Sequence, residues 1–151
     1  MTGNPGSTPP EGRHRYALRV YYEDTDAGGI VYHANYLRFA ERARTEALRV
    51  LGIPHAELVR EHNLMFVVRR IKVDYLRPAR LDDQVVIVTE PVAMRAASVV
   101  LRQDVQGPHG SCAVLEVELA CMPPGGSWPA RIPPRWREAL VGMQAARPPA
   151  G

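Results

Sequence analysis

The chain predicts an α+β fold in which an antiparallel sheet curls around one long helix. Three observations predict it. A short alternating run opens the patterned part, one stretch of helical period follows, and the later apolar segments return to a period of two until a short closing helix. At 151 residues the length is that of one domain, enough to bury about 68–70% of the unfolded surface. The expected layout is a disordered extension over 1–13, a single domain over 14–144 and a disordered tail over 145–151. The N-terminal segment is rich in Pro, Gly, Ser and Thr, and the tail reads the same way through its Pro and Gly.

The first strand runs from Arg15 to Tyr22. Tyr16, Leu18 and Val20 occupy one face, and Arg15, Ala17 and Arg19 the other. From Ala34 to Leu51 the spacing becomes three and four: Tyr36, Leu37, Ala40, Ala43, Ala47 and Leu51 form an apolar stripe. Arg38, Glu41, Arg42, Arg44, Glu46 and Arg49 read as its solvated face. Gly52 and then Pro54 give the stop, so the helix is about 27 Å long. A shorter helical piece is expected over His55–Glu61.

The rest reads as strand. Met65, Val67, Ile71, Val73 and Tyr75 share one face of a run that ends before Pro78, and Val85–Val88 is continuously apolar. Val99, Leu101, Gln103 and Val105 alternate with Ser98, Val100, Arg102 and Asp104. The turn Gly107-Pro108-His109-Gly110 leads into Leu115, Val117, Leu119 and Cys121, which alternate with Glu116 and Glu118. Pro123-Pro124-Gly125-Gly126 ends the sheet, and a helix over Pro134–Gln144 closes the domain. The order β-α-β-β-β-β reads as a meander, with one sheet face or edge left over for self-association.

Composition narrows the function. The net charge of +3 rests on arginine, since Lys72 is the only lysine. That excess is too small to argue for nucleic acid. Cys112 and Cys121 sit nine apart on one expected strand, out of disulfide reach, and read as free thiols of a reducing, cytoplasmic compartment. No secretory h-region opens the chain, and no apolar run approaches the ~20 residues of a membrane span.

The chemistry concentrates in YYEDTDAGGIVYHANY, residues 21–36. A strand-like run ends in Asp24 and Asp26, Gly28-Gly29 turns the chain, and His33-Ala34-Asn35 opens the helix. A carboxylate beside a turn that feeds a helix start is a layout for attack on a carbonyl. It supplies base or nucleophile, while unpaired N–H groups at the helix start stabilise an oxyanion. Asp24 reads as a turn former. Asp24, Asp26 and His33 carry ligand chemistry for a metal, but no further ligand stands at a characteristic spacing.

Residues Tyr16 to Leu48, together with FVVRRIKVDYLRPARLDD at 66–83, resemble the hotdog-fold acyl-CoA thioesterases of the 4-hydroxybenzoyl-CoA type. The branch encoded with the Tol–Pal envelope system is the most similar. The likeness runs from about residue 15 to about 122, and EDTDAGGIVYHANY is its most specific part. It implies a five-stranded antiparallel sheet wrapped around a central helix, in homodimers or homotetramers with active sites between subunits. It makes Asp26 the catalytic carboxylate and the His33 N–H the carbonyl polariser, with the imidazole assisting. It places Phe66 and Val67 beside the pantetheine arm, and Arg95 and Ser98 of the MRAAS turn at the phosphates. Tyr22, at the strand end, is a candidate site contact with packing as its alternative.

The expectation is an acyl-CoA thioesterase that needs no metal or other cofactor, coenzyme A being part of the substrate. An acyl carrier protein thioester is a second substrate class. A hotdog dehydratase or hydratase would instead act on hydroxyacyl or enoyl thioesters. A non-catalytic module that binds an acyl chain or acyl carrier protein near the envelope is the reading from another class. It predicts thioester binding that survives replacement of Asp26.

Overall fold

Helix α1 (Asn35–Val50) organises the fold because the sheet packs on a stripe of its small residues. Ala40 and Ala43 are fully buried and Ala47 nearly so, flanked by buried Tyr36 and Phe39. Alanine at three stripe positions lets the helix axis come close to the strands. Each large buried side chain contributes about 1.5–3 kcal/mol of transfer free energy. The helix stops where expected. Gly52 takes φ +77, its N–H donates to Arg49, and the Ile53 N–H reaches back to Leu48. Ile53 and Leu48 are both buried, so the stop carries the usual hydrophobic contact.

The computed structural model describes residues 12–146, so the expectations for 1–11 and 147–151 lie outside the described residues. After β1 (His14–Arg19) the chain makes a 3-10 turn (Tyr22–Asp24) and enters α1. Helix α2 (His55–His62) is followed by β2 (Met65–Tyr75), β3 (Gln84–Met94), β4 (Ser98–Gly107), β5 (Gly110–Met122) and α3 (Pro134–Ala145). The first strand is therefore shorter than the run Arg15–Tyr22, and Ala145, expected in the tail, is the last residue of α3. Among the described residues no helix is long and apolar enough to cross a membrane.

The sheet has five antiparallel strands in the order β1-β3-β4-β5-β2. It is not a simple meander. Only β3, β4 and β5 follow one another, while β2 crosses to the far edge beside β5. Ile87, Val99, Leu101, Val105, Leu115 and Val117 line the inner face with almost no exposure. The outer face is charged, and register puts Glu90 opposite Arg102, Arg102 opposite Glu116, and Glu116 opposite Lys72. Helix α3 closes one end. Trp136, Leu140 and Met143 are buried, and Arg137 and Gln144 donate to the carbonyls of Arg95 and Val92.

Two further sequence expectations fail for stated reasons. The pairing of β2 shifts between Val68 and Arg70, a bulge that changes which residues face inward. Phe66 and Val68 stand opposite the inward Cys121 and Leu119, and Ile71, Val73 and Tyr75 opposite Val117, Leu115 and Ala113. Met65 and Val67 therefore belong to the outer face, not with Ile71. The second failure is Arg44, which is not solvated. It is 8% exposed and its Nη1 donates to Gln103 Oε1 at 2.9 Å. Gln103 Nε2 donates in turn to the Ala40 carbonyl and to Thr89 Oγ1, each at 2.9 Å. This network ties the middle of α1 to β3 and β4, and burial pushes the Arg44 guanidinium below its usual range.

Gln103→Leu strands the buried guanidinium and should cost about 2–4 kcal/mol in urea unfolding. The double variant Arg44→Leu/Gln103→Leu should recover most of that loss, and a fully additive loss would contradict the pairing. His14 gives a pH signature. Its Nδ1 is buried without a partner, and burial lowers its pKa below 6.5, with Glu46 opposing. The unfolded chain then binds the proton more tightly than the folded one. The His14 contribution is therefore full above pH 6.5 and is lost as pH falls from 6.5 through the depressed folded value. His14→Gln should flatten the stability profile over that window.

Candidate active site

The loop between β1 and α1 folds back on itself. Thr25 bridges to Val31, the Asp26 N–H donates to the Ile30 carbonyl, and the Tyr32 N–H donates to the Asp24 carbonyl. The Gly29 N–H closes the turn on the Asp26 carbonyl at φ +78, a conformation that glycine adopts without strain. Asp26 is exposed, and its Oδ1 accepts from the Gly28 N–H at 2.8 Å. A Cβ at residue 28 would lie 3.2 Å from that oxygen, so the glycine lets the carboxylate sit close over the turn. One carboxylate oxygen is thus fixed, and no described side chain or backbone group donates to the other.

Asp24 has a structural part. Its Oδ2 accepts from the Tyr21 N–H at 2.8 Å, and its carbonyl accepts from Asn35 Nδ2 at 2.8 Å. Asn35 is the first residue of α1 and is buried, so this bond locks the loop to the helix start. On the other side the Val31 N–H donates to the Ala79 carbonyl, and the Ala79 N–H donates to the Tyr36 hydroxyl at 3.0 Å. Desolvation raises the Tyr36 pKa, so the phenol is neutral at this bond.

His33 stands at the helix entrance, exposed, its ring between Tyr32 at 4.6 Å and Tyr75 at 6.2 Å between centroids. Its carbonyl accepts from the Tyr75 hydroxyl at 3.1 Å. No acceptor among the described residues takes its N–H. A cavity of about 290 Å³ opens at this point, walled by His33, Tyr36 and Tyr75 and by residues 76–78. Tyr75 and the cavity were not singled out from the sequence. The only available signal was a tyrosine that ends an apolar strand immediately before an X-Pro loop.

The structure does not gather every expected residue. Tyr22 lies in the 3-10 turn and is 82% exposed. Phe66 is buried and inward, whereas its neighbour Val67 faces outward. Arg95 is exposed in the β3–β4 turn, where its N–H donates to the Ser98 carbonyl and its Nη1 lies 3.4 Å from Glu118 Oε1. Ser98 itself is buried, so its side chain is not presented at the surface. Phe66 lies at the start of β2, next to its first residue, and Tyr75 ends it, about 30 Å apart at strand rise. Within one chain the Arg95 turn and the His33 entrance therefore occupy opposite ends of the sheet.

Comparison with known proteins places this geometry. Residues 28–113 match the model of the thioesterase superfamily. The acyl-CoA thioesterase YbgC of Haemophilus influenzae is 40% identical over 125 residues, which is 83% of this chain and 92% of that protein. The acyl-CoA thioester hydrolase YbgC of Escherichia coli O6:H1 is 45% identical over 120 residues, 79% of this chain and 89% of its own. The crystal structure of a probable thioesterase from Bartonella henselae aligns with a TM-score of 0.76 at 35% identity, covering 80% of this chain and 99% of that one. The five-stranded sheet, the helix it wraps and the loop at the helix entrance are thus those of a hotdog fold, and the chain belongs to the thioesterase superfamily, beside the YbgC thioesterases.

Proposed function

We propose that the protein hydrolyses acyl-CoA thioesters to free coenzyme A and a carboxylic acid, with Asp26 as the catalytic carboxylate. The observation that carries this is the free N–H of His33 at the mouth of a cavity, in the same paired loop that holds Asp26. The relatives named acyl-CoA thioesterases support the substrate class. The thioester oxygen accepts from the His33 N–H, which stabilises the charge that develops on attack. Asp26 either adds to the carbonyl, giving an anhydride that water opens, or takes a proton from the attacking water. The departing thiolate belongs to a thiol of pKa about 8.5 and needs little acid assistance. The imidazole of His33 lines the same cavity and is exposed, and it assists the proton transfers in this reading. No step calls for a metal or redox group.

The working unit we propose is a pair of chains joined along β2. That strand is an edge, and among the described residues no strand pairs with its outer side. Its inner face leaves apolar side chains uncovered: Val68 is 43% exposed and Tyr75 50%. Antiparallel pairing of two copies of β2 would set the Phe66 end of one beside the Tyr75 end of the other. The partner's Arg95 turn would then approach the first chain's His33 entrance. This resolves the 30 Å separation, which is longer than the pantetheine arm that a single chain would require to span it. A dimer of this kind is compatible with higher assemblies through the charged outer face. An acyl carrier protein, with the same pantetheine arm, would enter by the same route, in the cytoplasm where both thioesters are made.

Two outcomes test the reading. Thiol release measured over short, long and aromatic acyl-CoAs should show turnover that falls on the order of 10²-fold or more in Asp26→Asn. Retained turnover would instead favour a role for Asp26 in the turn alone. Mixing Asp26→Asn chains with Arg95→Ala chains, each impaired alone at low substrate, should restore activity if sites form between subunits. No recovery after verified subunit exchange would place all groups of a site on one chain.

A further inference from the structure

Tyr75 has no part in the chemistry proposed above, yet it touches both His33 and Tyr36 at the helix entrance. It ends the inner face of β2 opposite Ala113. Its hydroxyl donates to the His33 carbonyl across 42 residues of sequence, at 3.1 Å. Its ring meets the His33 ring edge-on at 6.2 Å and the Tyr36 ring at 5.8 Å. Tyr36 is 3% exposed, packs edge-on against Phe39 and is bonded through its hydroxyl to the Ala79 N–H. His33 is therefore held by a train of rings rooted in the core, although it is itself at the surface. A backbone donor works as an oxyanion stabiliser only when its direction is fixed before the charge forms. The His33 N–H lies in the Tyr32–His33 peptide, whose carbonyl accepts from the Asn35 N–H at 2.8 Å. Tyr75 holds the following peptide through the His33 carbonyl, and it is the one side chain that hydrogen-bonds to His33 among the described residues.

The same ring walls the cavity of about 290 Å³ at which His33 sits. At ~30 Å³ per water-sized group, the space holds on the order of ten non-hydrogen atoms. We infer that Tyr75 is a positioning residue for the His33 oxyanion donor and the wall that limits the acyl pocket, which selects compact acyl groups over long fatty chains. The inference rests on the thioesterase reading for its first half. Its second half concerns binding and stands apart from turnover.

The test uses full-length protein and CoA thioesters graded from acetyl to palmitoyl. Tyr75→Phe keeps the ring and deletes the bond. Its kcat should fall about 10-fold, with KM, chain-length preference and melting temperature unchanged. Tyr75→Ala removes the wall and should move the preference to longer chains; Tyr75→Leu serves the same purpose if the alanine variant does not fold. Wild-type kcat in Tyr75→Phe, or an unchanged chain-length preference in the smaller variants, would overturn the inference. Calorimetric affinities for S-alkyl-CoA thioethers of graded length separate it from the parent reading. If the wild type hydrolyses no thioester, the thioesterase reading and the positioning role fall together. The wall is then decided by binding: a preference for short alkyl groups that is lost in Tyr75→Ala sustains it, and the same ranking in both proteins overturns it.

Discussion

The site depends on the bond from the Asn35 side chain to the Asp24 carbonyl. That carbonyl accepts twice, from Asn35 Nδ2 and from the Tyr32 N–H. The Tyr32 bond closes the loop on itself, and the Asn35 bond joins it to the first residue of the helix that the sheet encloses. A surface loop is ordinarily the mobile part of a domain. Here its far end is made part of a helix start, and Asn35 is buried enough that the bond is shielded from competing water. Asp26 can remain exposed and still be placed, because two residues before it the chain is anchored.

Anchoring of the helix follows the same logic one level down. An α-helix on a sheet can slide or rotate when its contacts are only apolar and small, as with three alanines. The Arg44–Gln103–Thr89 network supplies direction where the apolar contacts supply area. Gln103 bonds a main-chain carbonyl at mid-helix, which pins the axial position of α1 over β4. A buried cation is a costly way to do so, and its worth lies in specifying one arrangement rather than in raw stability. The helix entrance thus inherits its coordinates from the centre of the sheet.

Much of this was legible in the sequence because it is carried by period and punctuation. The stripe of α1, the Gly52 stop and the alternation in β4 and β5 are local patterns, and the structure reproduces them within a residue or two. The double glycine announced the turn beneath Asp26 for the steric reason now visible at Gly28. What could not be read was non-local. Arg44 looked like one more charge on a charged helix, since its partner lies 59 residues away. The placement of β2 beside β5 depends on a crossover that no local signal encodes. The same holds for Tyr75, whose bond to His33 joins the end of one strand to the start of a helix.

The bulge in β2 has a consequence for how this strand is compared with others. Counting from Phe66 and Val68, the inward positions resume at Ile71 because one residue, Arg69, is left out of the pairing. Removing that single residue on paper would restore unbroken alternation, with Phe66, Val68, Ile71, Val73 and Tyr75 inside and Met65 and Val67 outside. The extra residue shifts the inward positions from even to odd numbers, and it adds local bend and twist to the edge strand while the inward apolar side chains on both sides of the bulge keep to the core. In an alignment of related chains, a one-residue gap at this point would mark a change in the curvature of the sheet's open edge, while the inside and outside of the strand stayed as they were.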